Sequence, residues 1–316
     1  MKVLANDGIS QSGIEALEKE GFVVSTTTVA QEQLINYINE NDINVLLVRS
    51  ATKVRKDLID ACPNLKIIGR GGVGMDNIDV AYAKEKGIRV INTPAASSHS
   101  VAELVFAHLY GLARYLHNAN REMPLEGDSR FKDLKKAYAK GVELKGKTLG
   151  VIGFGRIGQA TAKVAIGAGM RVIAYDPFLE EANLELDFFD GQKLNFDIKT
   201  VSKEEVLKQS DFITLHVPAQ KDYVIGAPEM AIMKEGVLLV NAARGGVIDE
   251  IALIDSINNG KIARAALDVF EKEPTPEVQL LMNPALSLTP HTGAATNEAQ
   301  DRIGTELATQ IISILK

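Results

Sequence analysis

One cysteine, Cys62, among 316 residues excludes an internal disulfide framework and points to a reducing compartment. No apolar run approaches the roughly 20 residues of a membrane span. The opening MKVLANDG also lacks the apolar stretch of a signal peptide, so the cytoplasm is the expected location and no membrane partner is expected. There is no basic stretch long enough to neutralise a row of phosphates, and the net charge is −6, so nucleic acid is not an expected partner. Low-complexity segments are missing as well. What remains is a globular composition, 46% apolar and 24% charged, over a length that accommodates two ordinary domains.

The apolar pattern is organised in two rounds. KVLAND, GFVVST, NVLLVR, LKIIGR and RVINTP read as strands, with QSGIEALEKE, AQEQLINYINE, RKDLIDA and DVAYAKEK as the helices between them. Strands rich in Val, Ile and Leu that alternate with helices imply a parallel sheet covered on both faces. SVAELVFAHLYGLARYLHNAN then reads as one long helix, with Ser100 and Glu103 at capping-box spacing, followed by a polar, basic stretch to about residue 145. A second round follows, with strands in TLGVIGFG, RVIAYD, DFITLHV, VLLVNAA and ARAALDV. In the last segment Ile303, Leu307, Ile311 and Ile314 recur at near-helical spacing and need a surface to cover them. Return of that helix to the first round predicts an α/β protein of two Rossmann-like or flavodoxin-like parallel-sheet domains with a cleft between them. The expected division is residues 1–97 plus 289–316 as a discontinuous substrate-binding domain and 98–288 as a nucleotide-binding Rossmann domain.

Two stretches fit the glycine pattern of a dinucleotide loop, GRGGVG at 69–74 and GFGRIG at 153–158. That motif also calls for an acid about 20 positions on, at the end of the next strand, to bind the ribose hydroxyls. Counting 23 residues from Gly153 reaches Asp176, whereas the same count from Gly69 reaches Asn92. Asp76 and Asp79 follow the first loop, where they compete with a phosphate for a helix N-terminus; no carboxylate follows the second at that distance. Gly153, Gly155, Arg156, Ile157, Gly158 and Asp176 are therefore the expected cofactor site, and the Asp176 carboxylate, which repels a 2′-phosphate, predicts NAD over NADP.

Of five histidines, His99, His108 and His117 are spaced nine residues apart along the expected long helix. Successive members would face opposite sides about 13 Å apart, so no metal site is expected of them and each reads as a surface or packing histidine. His216 ends the strand DFITLHV, where a cofactor-lining role fits. His291, in LTPHTGAAT, lies just before the last helix. A base that titrates near neutrality is what proton transfer coupled to hydride transfer needs, and it requires an orienting carboxylate and a fixed cation for an acidic substrate. Arg244 and Glu273 follow successive strands and supply these types, although each taken singly also reads as a solvated loop residue or a charge before a proline turn.

VIGFGRIG, LHVP, VNAARGGVID, ALDVFEKEP and TPHTGAAT, with SVAEL before them, resemble the D-isomer-specific 2-hydroxyacid dehydrogenase family in order and spacing over almost the whole chain. The resemblance implies NAD as cofactor. It implies Arg244 as substrate-carboxylate binder, Glu273 as orienting acid and His291 as general acid/base. His216, Val217, Pro218, Ala242, Ala243, Asp268 and Gly293 are implied to line the cofactor. RSAT and GRGGVGMDNID are most similar to the D-3-phosphoglycerate dehydrogenases, which open the phosphorylated route to serine. That likeness implies substrate contacts from Arg49, Ser50, the backbone of Gly72 and Val73, Ser97, Arg244 and His291. Ser97 stands where many of those enzymes carry Asn, a longer donor. Arg49, then Lys53 and Arg55, are the expected phosphate cations, with Lys132, Lys135 and Lys136 a further basic run. Serine feedback within the chain is not expected, because the regulatory domain of longer members is missing. The long helix and the segment after it look like the family's dimerisation region, so a homodimer is expected. Two alternatives stand beside the phosphorylated substrate: an unphosphorylated acid such as lactate, glyoxylate or hydroxypyruvate, and an NAD-sensing corepressor that uses the same fold.

Overall fold

Short runs of Val, Ile and Leu are buried on both sides throughout the chain, and this drives their assembly into parallel sheets. The computed structural model describes residues 1–316. The chain divides into two compact units, one split (1–100 with 294–316) and one continuous (101–293).

The split unit runs β1 (Lys2–Ala5), α1 (Gln11–Lys19), β2 (Val23–Ser25), α2 (Leu34–Glu40), β3 (Val45–Val48), α3 (Lys56–Ala61), β4 (Ile67–Arg70), α4 (Val80–Glu85) and β5 (Arg89–Asn92). All pairings are parallel, in the order β2-β1-β3-β4-β5. This is the flavodoxin-like order, whose ligand crevice lies beyond the strand ends where the order reverses, between β1 and β3. One face of the sheet is covered by Leu34, Ile38, Leu58 and Ile59 from α2 and α3, the other by Leu17 of α1 and by the terminal helix. That helix buries Ile303, Leu307 and Ile311, but Ile314 is 38% exposed, so the apolar stripe is shorter than its spacing suggests.

The continuous unit starts within α5 (Ser98–Ala113) and runs through α6 (Leu116–Glu126), α7 (Phe131–Ala137), β6 (Thr148–Ile152), α8 (Arg156–Gly167), β7 (Arg171–Tyr175), β8 (Glu181–Asp187), β9 (Lys193–Lys199), α9 (Lys203–Gln209), β10 (Phe212–Leu215), α10 (Ala227–Ile232), β11 (Val237–Asn241), α11 (Glu250–Asn258), β12 (Ile262–Leu267), α12 (Val278–Leu281) and β13 (Leu286–Leu288); α13 (Asn297–Leu315) is the terminal helix of the split unit. Its parallel sheet has the order β13-β12-β11-β10-β6-β7. A single parallel bridge from Thr200 to Ala174 adds the remnant of a further strand beside β7. With that remnant the arrangement is the dinucleotide-fold order, 3-2-1-4-5-6, plus one more strand.

Several expectations change. The helix of SVAEL begins at Ser98, so Ser100 lies inside its first turn and is not the cap. The expected long helix is two helices. It breaks at Tyr115, whose φ of +57° is left-handed and whose ring packs at a tilt against Tyr138 and lies beneath the Arg264 guanidinium, 4.0 Å from the ring centre. His117 therefore lies on a different helix from His108, and the opposite-face argument does not apply to that pair. Between β7 and α9, where a crossover helix is usual, the chain forms the antiparallel hairpin β8–β9, whose Leu184 and Leu186 are buried in the core that α8 also packs on. Leu307→Ala should destabilise the protein to urea by about 2–5 kcal/mol, whereas Ile314→Ala, at an exposed position, should stay within about 0.5 kcal/mol.

Candidate active site

The three glycines of GFGRIG do three different things. Gly153 has φ +91°, and a Cβ there would lie 2.6 Å from His216 O. A Cβ on Gly158 would lie 2.2 Å from Gly153 O, so the third glycine lets α8 close on the loop. Gly155 meets nothing within 4 Å, which leaves its backbone open to a ligand. Gly155 is also the N-cap of α8 and supplies no side-chain acceptor, so the amides of the first turn, at Arg156 and Ile157, have the positive helix end to offer an anion. Asp176 directly follows β7, whose last residue is Tyr175. Its carboxylate accepts from Phe154 N–H at 2.8 Å and Phe178 N–H at 2.9 Å, which braces the loop and leaves lone pairs for ribose hydroxyls. Val217 packs against Gly153, 3.0 Å from where its Cβ would be, and Pro218 beyond it is exposed. His216 Nε2 meets Thr214 Oγ1 at 3.1 Å, while its Nδ1 is buried without a partner. Burial pushes this imidazole down to about 3, so it is neutral. These residues fit a dinucleotide.

The chemistry-bearing residues stand on the next strand ends of the same unit. Asn241, the last residue of β11, donates from Nδ2 to Arg244 O at 2.9 Å and accepts from Ala243 N–H at 3.0 Å, which shapes the turn that carries Arg244. Ala242 and Ala243 are buried. A Cβ on Gly245 would lie 1.8 Å from Phe270 O, so only glycine lets the Arg244 turn lie against the segment leading to Glu273. The Glu273 carboxylate accepts from Phe270 N–H at 3.0 Å and from His291 Nδ1 at 2.9 Å. A carboxylate of this kind only accepts, so Nδ1 carries the proton and Nε2 is the nitrogen left for a reactant. Burial raises the Glu273 carboxyl, but the hydrogen bonds from His291 and Phe270 and the Arg244 charge outweigh it and hold the group below the ordinary carboxylate value. A depressed carboxyl contributes stability above its unfolded value and loses it as pH falls through the folded one, so the pair weakens only in acid.

Asp268, one of the expected cofactor-lining residues, is 1% exposed. Its carboxylate accepts from Thr289 Oγ1 at 2.6 Å, Thr292 N–H at 2.7 Å and Gly293 N–H at 2.9 Å. It thus binds the turn around His291 to β12. The unit boundary accordingly falls after Gly293 and not before residue 289.

In the split unit, the loop after β3 is held from two sides. Asp7 accepts from Arg49 N–H (2.6 Å), Thr52 N–H (3.1 Å) and Thr52 Oγ1 (2.6 Å). Asn77 Nδ2 donates to Arg49 O at 2.7 Å and Thr52 O at 2.6 Å. Arg49 and the exposed Ser50 therefore sit on a fixed loop at the β1/β3 reversal. Lys53 is exposed, whereas Arg55 is tied to Asp79 at 2.9 Å, whose other oxygen takes Lys56 N–H at the start of α3. Asp79 thus caps a neighbouring helix. GRGGVG leads into a turn, since α4 begins only at Val80. Asn92, where a cofactor loop would have its acid, donates from Nδ2 to Val73 O at 2.7 Å, a bond no carboxylate makes. Gly72 O takes Thr93 N–H at 3.1 Å. Ser97 is 2% exposed. Lys132, Lys135 and Lys136 are exposed on α7. Sequence reading passed over Arg70, whose Nη1 lies 1.7 Å from where a Cβ on Gly72 would be. The signal was its place inside the glycine motif.

A parallel-sheet unit with a dinucleotide loop and a Glu-paired histidine defines a nucleotide-dependent oxidoreductase class. Residues 106–293 match the model of the D-isomer specific 2-hydroxyacid dehydrogenase, NAD binding domain. The chain is 45% identical over 318 residues to a D-3-phosphoglycerate dehydrogenase of Methanocaldococcus jannaschii, covering 100% of this chain and 58% of that protein. It is 45% identical over 320 residues to a hydroxypyruvate reductase of Thermotoga maritima, covering 99% of this chain and 98% of that protein. Among solved structures, a D-lactate dehydrogenase of Aquifex aeolicus, complexed with NAD and lactic acid, is similar at a TM-score of 0.76 and 29% identity, over 100% of this chain and 95% of that one. The chain belongs to the D-isomer specific 2-hydroxyacid dehydrogenase family, and NAD is its cofactor. It spans little more than half the length of the phosphoglycerate dehydrogenases it matches, 58% in the case above.

The glycine geometry yields a paired test. Gly155→Ala should leave the melting temperature unchanged and weaken NADH binding about tenfold or more, because the added methyl meets only ligand space. Gly158→Ala should instead lower the melting temperature by several degrees, since the methyl meets backbone. Differential scanning fluorimetry and NADH fluorescence titration read the two effects.

Proposed function

We propose that the chain is an NAD-dependent oxidoreductase that interconverts a short 2-hydroxy acid and its 2-keto acid. The observation that carries this reading is the 2.9 Å contact between His291 Nδ1 and Glu273 Oε2, in the same unit as the dinucleotide loop. Bound nicotinamide supplies the hydride acceptor or donor. Arg244 holds the substrate carboxylate through its guanidinium. His291 Nε2 takes the hydroxyl proton in oxidation and returns it in reduction. Glu273 fixes the tautomer and stabilises the imidazolium.

The substrate we propose first is D-3-phosphoglycerate, oxidised to 3-phosphohydroxypyruvate. Its support is the clamped Arg49 loop, the Arg70 guanidinium beside Gly72, and the likeness to D-3-phosphoglycerate dehydrogenases. Gly72 and Val73 amides, whose carbonyls are already used by the fold, are the proposed donors to an acidic oxygen. A second reading, hydroxypyruvate reduction, is favoured by the 98% coverage of the hydroxypyruvate reductase. An NADH-oxidation panel with 3-phosphohydroxypyruvate, hydroxypyruvate, glyoxylate and pyruvate discriminates them: a tenfold higher kcat/KM for the phosphorylated acid supports the first, and the reverse order the second. We also propose a homodimer, supported by exposed Leu116, Met123, Leu125 and Phe131 on α6 and α7. A sedimentation mass near one 34.2 kDa chain would overturn it.

His291→Asn should lower turnover by about 10²- to 10⁴-fold while NADH still binds. Glu273 accepts from His291 Nδ1 as a carboxylate, and its carboxyl is held below the ordinary value, so the rate should fall only in acid, as that carboxyl takes up its proton. Glu273→Gln removes the group that titrates there, so the acid limb of the pH–rate profile should move. An unmoved limb would remove Glu273 from the mechanism.

A further inference from the structure

A buried hydrogen-bond chain ends at the turn that carries His291, and two of its members have no role in the chemistry above. His108 on α5 is 5% exposed. Its Nδ1 lies 3.0 Å from Ser287 Oγ and its Nε2 lies 3.1 Å from Thr289 Oγ1. The Thr289 hydroxyl donates its one proton to Asp268 Oδ1 at 2.6 Å. Its oxygen must then accept from His108, so Nε2 carries the imidazole proton and Nδ1 accepts from the Ser287 hydroxyl. Every donor runs one way, from Ser287 through His108 and Thr289 to Asp268. Burial lowers the His108 imidazole against the pull of Asp268, with His117 adding to the lowering, which suits a neutral ring with one donor and one acceptor.

The turn depends on this chain at several points. His291 has φ +55°, a left-handed conformation that a residue with a Cβ holds only when its surroundings over-determine it. His291 N–H donates to Thr289 O at 3.0 Å, and Thr289 N–H donates to Leu267 O at 3.1 Å. Asp268 takes Thr292 N–H on the other side at 2.7 Å. Thr289 thus holds the turn through backbone and side chain at once. A leucine at 108 would leave the Ser287 hydroxyl without its acceptor and the Thr289 oxygen without its donor, and a fully satisfied polar network fixes one orientation where apolar packing does not.

We propose that His108 and Thr289 are positioning residues for His291: their buried hydrogen-bond chain to Asp268 locks the turn in which the catalytic imidazole meets Glu273. This rests on His291 being the acid/base of the proposed reaction. Their removal misaligns the proton-transfer step and leaves cofactor binding and the fold intact.

The test compares Thr289→Val, Thr289→Ser, His108→Leu, His108→Gln, the Thr289→Val/His108→Leu double variant and His291→Asn. The substrate is the better of 3-phosphohydroxypyruvate and hydroxypyruvate. Thr289→Val and His108→Leu should each lose about 10- to 100-fold in kcat, with KM and the NADH dissociation constant within about threefold of wild type. Thr289→Ser and His108→Gln, which keep hydrogen-bonding groups, should recover most of the loss. The double variant should lose little more than Thr289→Val alone, because one chain cannot be broken twice. Wild-type kcat in Thr289→Val and His108→Leu would overturn the proposal, as would equal loss of NADH affinity that serine does not restore. Should Thr289→Val fail to fold by thermal melting, His108→Gln against His108→Leu decides on the same criteria. His291→Asn separates the two levels: an active His291→Asn sinks the proposed mechanism, whereas an inactive one beside fully active relay variants sinks the relay alone.

Discussion

Where parallel strands end, the chain turns and its backbone amides lose their ladder partners. Those amides must still find acceptors. This protein gives them side-chain carboxylates and amides placed at the strand ends. Asp7 after β1 takes Arg49 and Thr52; Asp176 after β7 takes Phe154 and Phe178; Asp268 after β12 takes Thr292 and Gly293; Asn241 at the end of β11 takes Ala243. A charged acceptor makes a stronger bond than a neutral one. The loops that carry Arg49, the dinucleotide glycines, Arg244 and His291 are each tied in this way to the end of their own sheet.

Two of these loops also lie where the strand order reverses. In the split unit the order reverses between β1 and β3, where Asp7 holds Arg49. In the continuous unit it reverses between β6 and β10, where the glycine loop packs on His216. Both crevices lie at the carboxyl ends of strands, where helix N-termini and loop amides converge. Electrostatics then separates two side chains of the continuous unit: burial of the ring keeps the His216 imidazole neutral, and Glu273 stays ionised as the acceptor of His291 Nδ1.

Local patterns carried much of this. The glycine spacing and Asp176 were legible because the dinucleotide loop is a contiguous strand–turn–helix. The two alternating rounds were legible because parallel strands buried on both faces read as unbroken apolar runs. The β8–β9 hairpin was not read from the sequence, although Leu184, Leu186, Phe196 and Ile198 alternate on either side of Asp190-Gly191. The break at Tyr115 was not legible either, since Leu112 and Leu116 continue the helical spacing and the contacts of the Tyr115 ring are with Tyr138 and Arg264, distant in sequence.

The sequence by itself determined most strands of the two parallel sheets, the dinucleotide loop and the residue types at the strand ends, because each is encoded by neighbours along the chain. Only the tertiary structure decided that Asn92 serves the first glycine loop through Val73 O, that Arg55 belongs to Asp79, that Asp268 holds the His291 turn, and that His108 reaches that turn through Thr289. Each is a hydrogen bond or ion pair between segments at least 19 residues apart. Such partners are chosen by the crossovers of the sheet, and no local pattern records which strand end comes to lie beside which.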